Sequence, residues 1–213
     1  LHKGTDLIKE GLAFYAQNGP LQHSEIALSK EEFASNARFL HRGYYCPSPI
    51  QDKLVGNAKR GKLVRRKTEK TKITHRYLFD SSNRLIIVEA FLPDGNKKTE
   101  YLVYKGNVVN GYAFDNWGTL VGVSEESYCN NIIQSYFCAS CFNHELDRID
   151  WGITNIHYET YSYNDTGLEE ADFYLSNFLN SGVKSPEEAD TLIQGGRYKF
   201  VCKDNEIISF YST

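Results

Sequence analysis

Thr74-His-Arg-Tyr-Leu-Phe-Asp-Ser-Ser-Asn-Arg-Leu-Ile-Ile-Val88 opens the stretch that decides the fold, which runs on to Ser127. A turn at Pro93-Asp-Gly-Asn96 follows, then Tyr101-Leu-Val-Tyr104, Lys105-Gly-Asn-Val-Val109 and Gly111-Tyr-Ala-Phe-Asp-Asn-Trp-Gly-Thr-Leu-Val-Gly-Val123. Short runs of Val, Ile, Leu and aromatic residues are broken by Asp, Asn and Gly at tight intervals. That is the signature of consecutive antiparallel hairpins, and no helical period runs through it.

Working outward, Asn130 to Cys141 continues as strand, and Ile153 to Tyr163 alternates with both faces mixed. The last hairpin is Tyr198-Lys-Phe-Val-Cys202 and Ile207-Ile-Ser-Phe-Tyr211, turned at Asp204-Asn205. Helices are expected around this meander. Thr5 to Asn18 reads as an amphipathic helix with Thr5 as N-cap and Leu7, Ile8, Leu12 and Tyr15 on one stripe. Ser29-Lys-Glu-Glu32 matches a capping box, so Ser29 to Leu40 reads as a second helix. Leu168 to Leu179 reads as a third, and Ser185-Pro-Glu-Glu188 opens a short fourth. The expected fold class is α+β: an antiparallel meander with N-terminal helices and one or two helices inserted before the last hairpin. Residues 1–73 form a helical and basic segment packing on the sheet and residues 74–213 the meander body, together expected as one compact domain.

Composition bounds the function classes. With 41% hydrophobic residues and 14% aromatics the chain can fill a core, so wholesale disorder is excluded. It lacks a run of about 18 apolar residues, so no helical membrane span or membrane partner is expected. No charged start leads into an apolar stretch, as a retained secretion signal would. The absence of Met, even at position 1, means either that the start is not the native one or that a non-standard start is written literally; a cleaved N-terminal segment would weaken a cytosolic reading. Five scattered cysteines (Cys46, Cys129, Cys138, Cys141, Cys202) fit reduced thiols, and so a cytoplasmic protein.

The net charge of −3 hides an asymmetry. Residues 53–76 carry ten Lys and Arg against Glu69 alone, whereas 77–213 hold 20 Asp+Glu and 9 Lys+Arg, a balance of −11. So acidic a body repels nucleic acid and favours a basic protein partner. The basic run itself reads as a solvated segment, with a phosphate or RNA patch as its alternative.

Four hairpin tips share a pattern. Tyr77-Leu-Phe-Asp80 leads to Leu85-Ile86, and Tyr112-Ala-Phe-Asp115 leads through Asn116-Trp117-Gly118 to Leu120-Val121. Tyr161-Ser-Tyr-Asn-Asp165 leads to Gly167-Leu168, and Tyr198-Lys-Phe200 to Ile207-Ile208. Asp bonds backbone amides across each tip, Asn or Gly takes the positive-φ position, and the aromatic packs on the returning strand. These tips resemble the tyrosine–aspartate repeats of bacterial Rhs-type shell proteins, and look like the β-meanders of small immunity proteins that accompany such toxins. The resemblance covers Thr74 to Thr213. It implies a stoichiometric blocker of a cognate toxin and names no site residues. The uneven spacing of the tips, 35 residues from Asp80 to Asp115 and 50 from Asp115 to Asp165, favours a compact domain over a shell.

Motifs for chemistry are sparse. Cys138-Ala-Ser-Cys141 with His144 has ligand-like spacing, but a zinc site needs a converging fourth group, Cys129 or His157, so free thiols and no metal or cofactor are expected. His144-Glu145 with Asp147 and Asp150, or His157 with Glu159, offers an acid–base pair for a hydrolase, without an activated nucleophile or phosphate loop. Glu169-Glu170-Asp172 and Glu187-Glu188-Asp190 read as first-turn acids of helices. Trp117 sits at a hairpin tip beside carboxylates, the composition of an interface hot spot, though a core Trp is the plainer reading. The expected function is an immunity-type inhibitor, not an enzyme, that docks on a basic toxin domain through Trp117, Asp147, Asp150, Glu169, Glu170 and Asp172. A structural module of a larger surface protein, or a hydrolase using His144 or His157, is the alternative.

Overall fold

The structure, a computed structural model, describes residues 2–18, 27–54, 57–141, 153–177, 195–203 and 206–212. Helix α1 (His2–Asn18) precedes β1 (Leu28–Ser35), a 3₁₀ turn (Gly43–Tyr45), α2 (Gln51–Leu54) and β2 (Lys62–Leu63). Ten strands then follow without interruption by helix among the described residues: β3 (Ile73–Asp80), β4 (Leu85–Phe91), β5 (Lys97–Lys105), β6 (Val108–Phe114), β7 (Leu120–Cys129), β8 (Ile132–Cys141), β9 (Ile153–Asn164), β10 (Gly167–Asn177), β11 (Gly195–Lys203) and β12 (Glu206–Ser212). Hydrogen-bonded neighbours run from β12 to β3 in sequence order, then β1 and β2. The meander is therefore real, and its pairing is antiparallel at every described register.

The α+β expectation is overturned: the chain is mostly antiparallel sheet, and two expected helices are strands. At Ser29–Leu40 the capping-box residues lie on β1, where Glu32 faces Tyr77, Phe33 faces Arg76 and Ala34 faces His75 of β3. Charged Lys30, Glu31 and Glu32 suit an edge strand, which is protected by charge. Lys30 lies over the Phe79 ring, 4.8 Å from its centroid, and Glu31 pairs with Arg76. At Leu168–Leu179 the described part is β10, with Ala171 and Phe173 buried and Glu170, Asp172 and Tyr174 half-buried, a period of two. The turn decided it: Asn164 Oδ1 accepts from Thr166 N at 2.9 Å, and the chain returns along β9. The helix expected at Ser185 lies outside the described residues. Helix α1 forms as read but starts at His2, which places Thr5 inside it and not at its cap.

The chain divides into two compact units. The first comprises Leu1–Ala13, Tyr104–Tyr112 and Thr119–Thr213. Here α1 buries Leu7 and Ile8. Gly11 lets the helix approach the sheet, since a Cβ there would meet the Tyr112 ring at 2.8 Å. Lys3 pairs with Glu125 at 2.5 Å and lies 5.6 Å from the Phe137 and Tyr158 ring centroids, so α1 covers that face of β7–β9. On the opposite face Tyr136, Glu159 and Ala171 have no solvent exposure.

The second unit comprises Phe14–Val103 and Ala113–Gly118. One face of β3–β5 packs under the 3₁₀ turn: the Tyr45 ring meets Tyr77 edge-on at 4.8 Å, and Tyr77 Oη donates to Arg42 O at 3.0 Å. Beneath it Arg42 makes a buried two-pronged contact with Glu100, Nε to Oε2 at 2.9 Å and Nη2 to Oε1 at 2.8 Å. Elsewhere in this unit Phe14 and Tyr15 of α1 pack on Tyr101 and Phe114, with centroids 5.8 and 4.6 Å apart.

Candidate functional site

Trp117 is the most exposed large apolar side chain among the described residues, at 77%. Its tip is braced on every side. Strand β6 ends at Phe114, and Asp115 opens the turn: its Oδ1 accepts from Trp117 N at 2.9 Å while its carbonyl accepts from Gly118 N at 3.2 Å. Gly118 holds φ +79°, and a Cβ there would lie 2.2 Å from the Tyr15 hydroxyl, so only glycine closes this turn over α1.

The neighbouring β4–β5 tip locks onto it. Asn116 Nδ2 donates to Asn96 Oδ1 at 2.9 Å, and Lys97 N donates to Asn116 Oδ1 at 3.2 Å. Asn96 in turn donates from N and Nδ2 to the Asp94 carboxylate at 3.0 and 2.9 Å. Those bonds, the backbone one first, hold Asp94 below the usual carboxylate range. Behind the tips, Lys97 pairs with buried Glu89 at 2.6 Å, and Arg76 joins from the other side at 3.2 Å. Burial alone would raise the Glu89 carboxyl, but these two cations outweigh it and hold it low. The result is a rigid platform that presents an indole to solvent. It can recognise a surface.

The other expected contact residues fare differently. Glu169, Glu170 and Asp172 lie on strand β10 and not in a helical first turn. Glu169 is exposed, Glu170 pairs with Lys199 of β11 at 2.6 Å, and Asp172 faces Lys199 in register. These three belong to the first unit and Trp117 to the second. Asp147, Asp150, His144 and residues 187–190 lie outside the described residues.

His157 and Glu159 do meet. The imidazole Nε2 contacts Glu159 Oε1, and Tyr161 Oη donates to Oε2 at 2.5 Å. Glu159 has no exposure, and the His157 ring packs against Phe173 and Tyr136, with centroids at 4.6 and 5.7 Å. An acid–base pair walled by aromatics is a satisfied buried network, the ordinary fate of such groups. Cys46, Cys129, Cys138 and Cys141 are not joined in disulfides, and no group of three metal-ligating side chains gathers among the described residues. Burial pushes the Cys141 thiol up to about 12, which keeps it protonated near neutral pH.

Sequence reasoning missed the Arg42–Glu100 pair and its neighbour His41, whose Nε2 lies 3.0 Å from Glu100 Oε2. Glu100 sits on an alternating strand, where a carboxylate looks like a surface residue; only the distant loop brings its partner. No helix among the described residues is long and apolar enough to cross a membrane. Comparison with protein-family models, curated proteins and solved structures finds no match.

Proposed function

We propose that this chain is a protein-binding inhibitor of the immunity type, acting in the cytoplasm, which neutralises a basic toxin domain by stoichiometric docking with Trp117 as its anchor. One observation carries it. Burying an indole of roughly 200 Å² stabilises a fold by about 5 kcal/mol, and here that term is left in water on a tip braced by five hydrogen bonds of Asp115, Asn116, Asn96 and Asp94. A rigid, exposed Trp beside carboxylates is the make-up of an interface hot spot, because little conformational entropy is lost when it is covered. The −11 balance of residues 77–213 supports the sign of the partner, and the resemblance of the hairpin tips supports its class.

Co-expression with the product of the neighbouring reading frame tests it. The two chains are expected to co-purify at 1:1, with the toxin's activity silenced. Charge reversal at Glu169, Glu170 and Asp172 is expected to weaken the complex. A free partner in that experiment, or a complex formed with the toxin still active, overturns the reading.

A further inference from the structure

The outer edge of β1 carries a second surface with the opposite charge. A cleft of about 470 Å³ opens there, lined by Glu31, Glu32 and Phe33 on one side and by Lys62, Leu63 and Arg65 on the other. Its acids are already compensated. Glu31 pairs with Arg76, and Glu32 pairs with Lys30 at 2.6 Å and accepts from the Tyr45 hydroxyl. Its cations are not: Lys62 and Arg65 make no ion pair among the described residues, and neither do exposed Arg66, Lys70 and Lys72 beyond them. The cleft is therefore net positive although carboxylates line it.

The backbone there is half-used. Strand β2 covers only Ala34 and Ser35 of β1, and Val64 N donates to Phe33 O at 2.8 Å. Alternate residues of an antiparallel edge turn both N–H and C=O outward, so Glu31 shares the outward side of Phe33. Past Phe33 no described strand pairs with that side. An open edge of this kind is a template for an added strand.

We propose that this cleft binds an extended acidic segment of a protein partner, which continues β2 along β1 and sets its carboxylates against Lys62 and Arg65. A peptide is favoured over a nucleic acid because the open groups are spaced for a backbone. The Phe33 ring, where a base would stack, is covered by Lys67 with its ammonium 4.8 Å from the centroid. This surface is separate from the Trp117 platform and does not rest on the function proposed for it.

The test uses the full chain and a fluorescent peptide of alternating Glu and Val, about eight residues long. Three further probes accompany it: the same peptide N-methylated at alternate residues, a Lys–Val peptide, and a single-stranded RNA of equal length. At roughly 50 mM salt the acidic peptide is expected to bind, with at least a tenfold loss in Lys62→Glu/Arg65→Glu and in the milder Lys62→Gln/Arg65→Gln. N-methylation is expected to abolish binding, amide exchange at Glu31 to slow in the complex, and Trp117→Ala to bind as the parent does. No binding, equal binding of the N-methylated or Lys–Val peptide, or loss in Trp117→Ala overturns the proposal. RNA binding tighter than the peptide, lost in the same cation variants, assigns the surface to nucleic acid instead.

Discussion

Arg42 holds φ +58°, a left-handed backbone that costs a non-glycine residue about 1–2 kcal/mol. It is kept there by its buried fork on Glu100. Burial alone would raise the Glu100 carboxyl; the charges of Arg42 and His41 reverse that and keep it ionised far below the usual range. Such a pair is weak in net terms but severe when halved. Arg42→Met is expected to lower the unfolding free energy by about 3–5 kcal/mol, and Arg42→Met/Glu100→Leu to recover most of it, as urea melts would show. Nearby His75 is buried against Tyr77; burial first, then the His41 charge, lowers its pKa to about 4. Its folded value lies below the unfolded one, so the unfolded chain binds the extra proton. Stability is therefore full above about pH 6.5 and falls as pH drops toward 4, by up to about 3 kcal/mol. Carboxylates such as Glu100 add their own loss only below their usual range. His75→Asn is expected to flatten the upper part of that profile. A slope unchanged in His75→Asn would assign the proton elsewhere.

At the scale of elements, β10 alternates from Glu170 onward, and the bulge between Leu168 and Glu170 turns Glu169 outward although it is two residues from buried Ala171. Ala171→Lys puts a charge where exposure is nil and is expected to destabilise by more than about 3 kcal/mol, whereas Glu169→Lys on the exposed bulge stays within about 0.5. Equal effects in thermal melts would favour the helix that the sequence had implied. The hairpins from Thr74 to Ser127 were legible because turn chemistry is local: Asp80 Oδ1 does accept from Ser82 N and Arg84 N at 2.9 Å, with Asn83 at φ 59°. At the third tip the capping group is Asn164 and not Asp165. The two misread strands failed for one reason. Ser29-Lys-Glu-Glu32 and Glu169-Glu170-Ala171-Asp172 look like helix starts locally, and only pairing with β3 or β9, a long-range contact, makes them strands. The Trp117 position was readable as a tip. Its exposure was not, since sequence cannot say whether a tip folds back over the core.

Across the whole molecule, charge is sorted along the sequence, with ten cations in 53–76 and an acid excess after them. A complex steered by that excess is expected to lose about tenfold in association rate between 50 and 500 mM salt, with dissociation little changed; stopped-flow mixing separates the two. Salt-insensitive association would remove electrostatic steering and leave only the apolar anchor. That anchor is the central claim, and calorimetric titration of the co-purified partner into the parent chain and into Trp117→Ala tests it most directly. The expected result is a loss of affinity of about 30-fold or more with an unchanged melting temperature. Equal affinity for the two chains would contradict it.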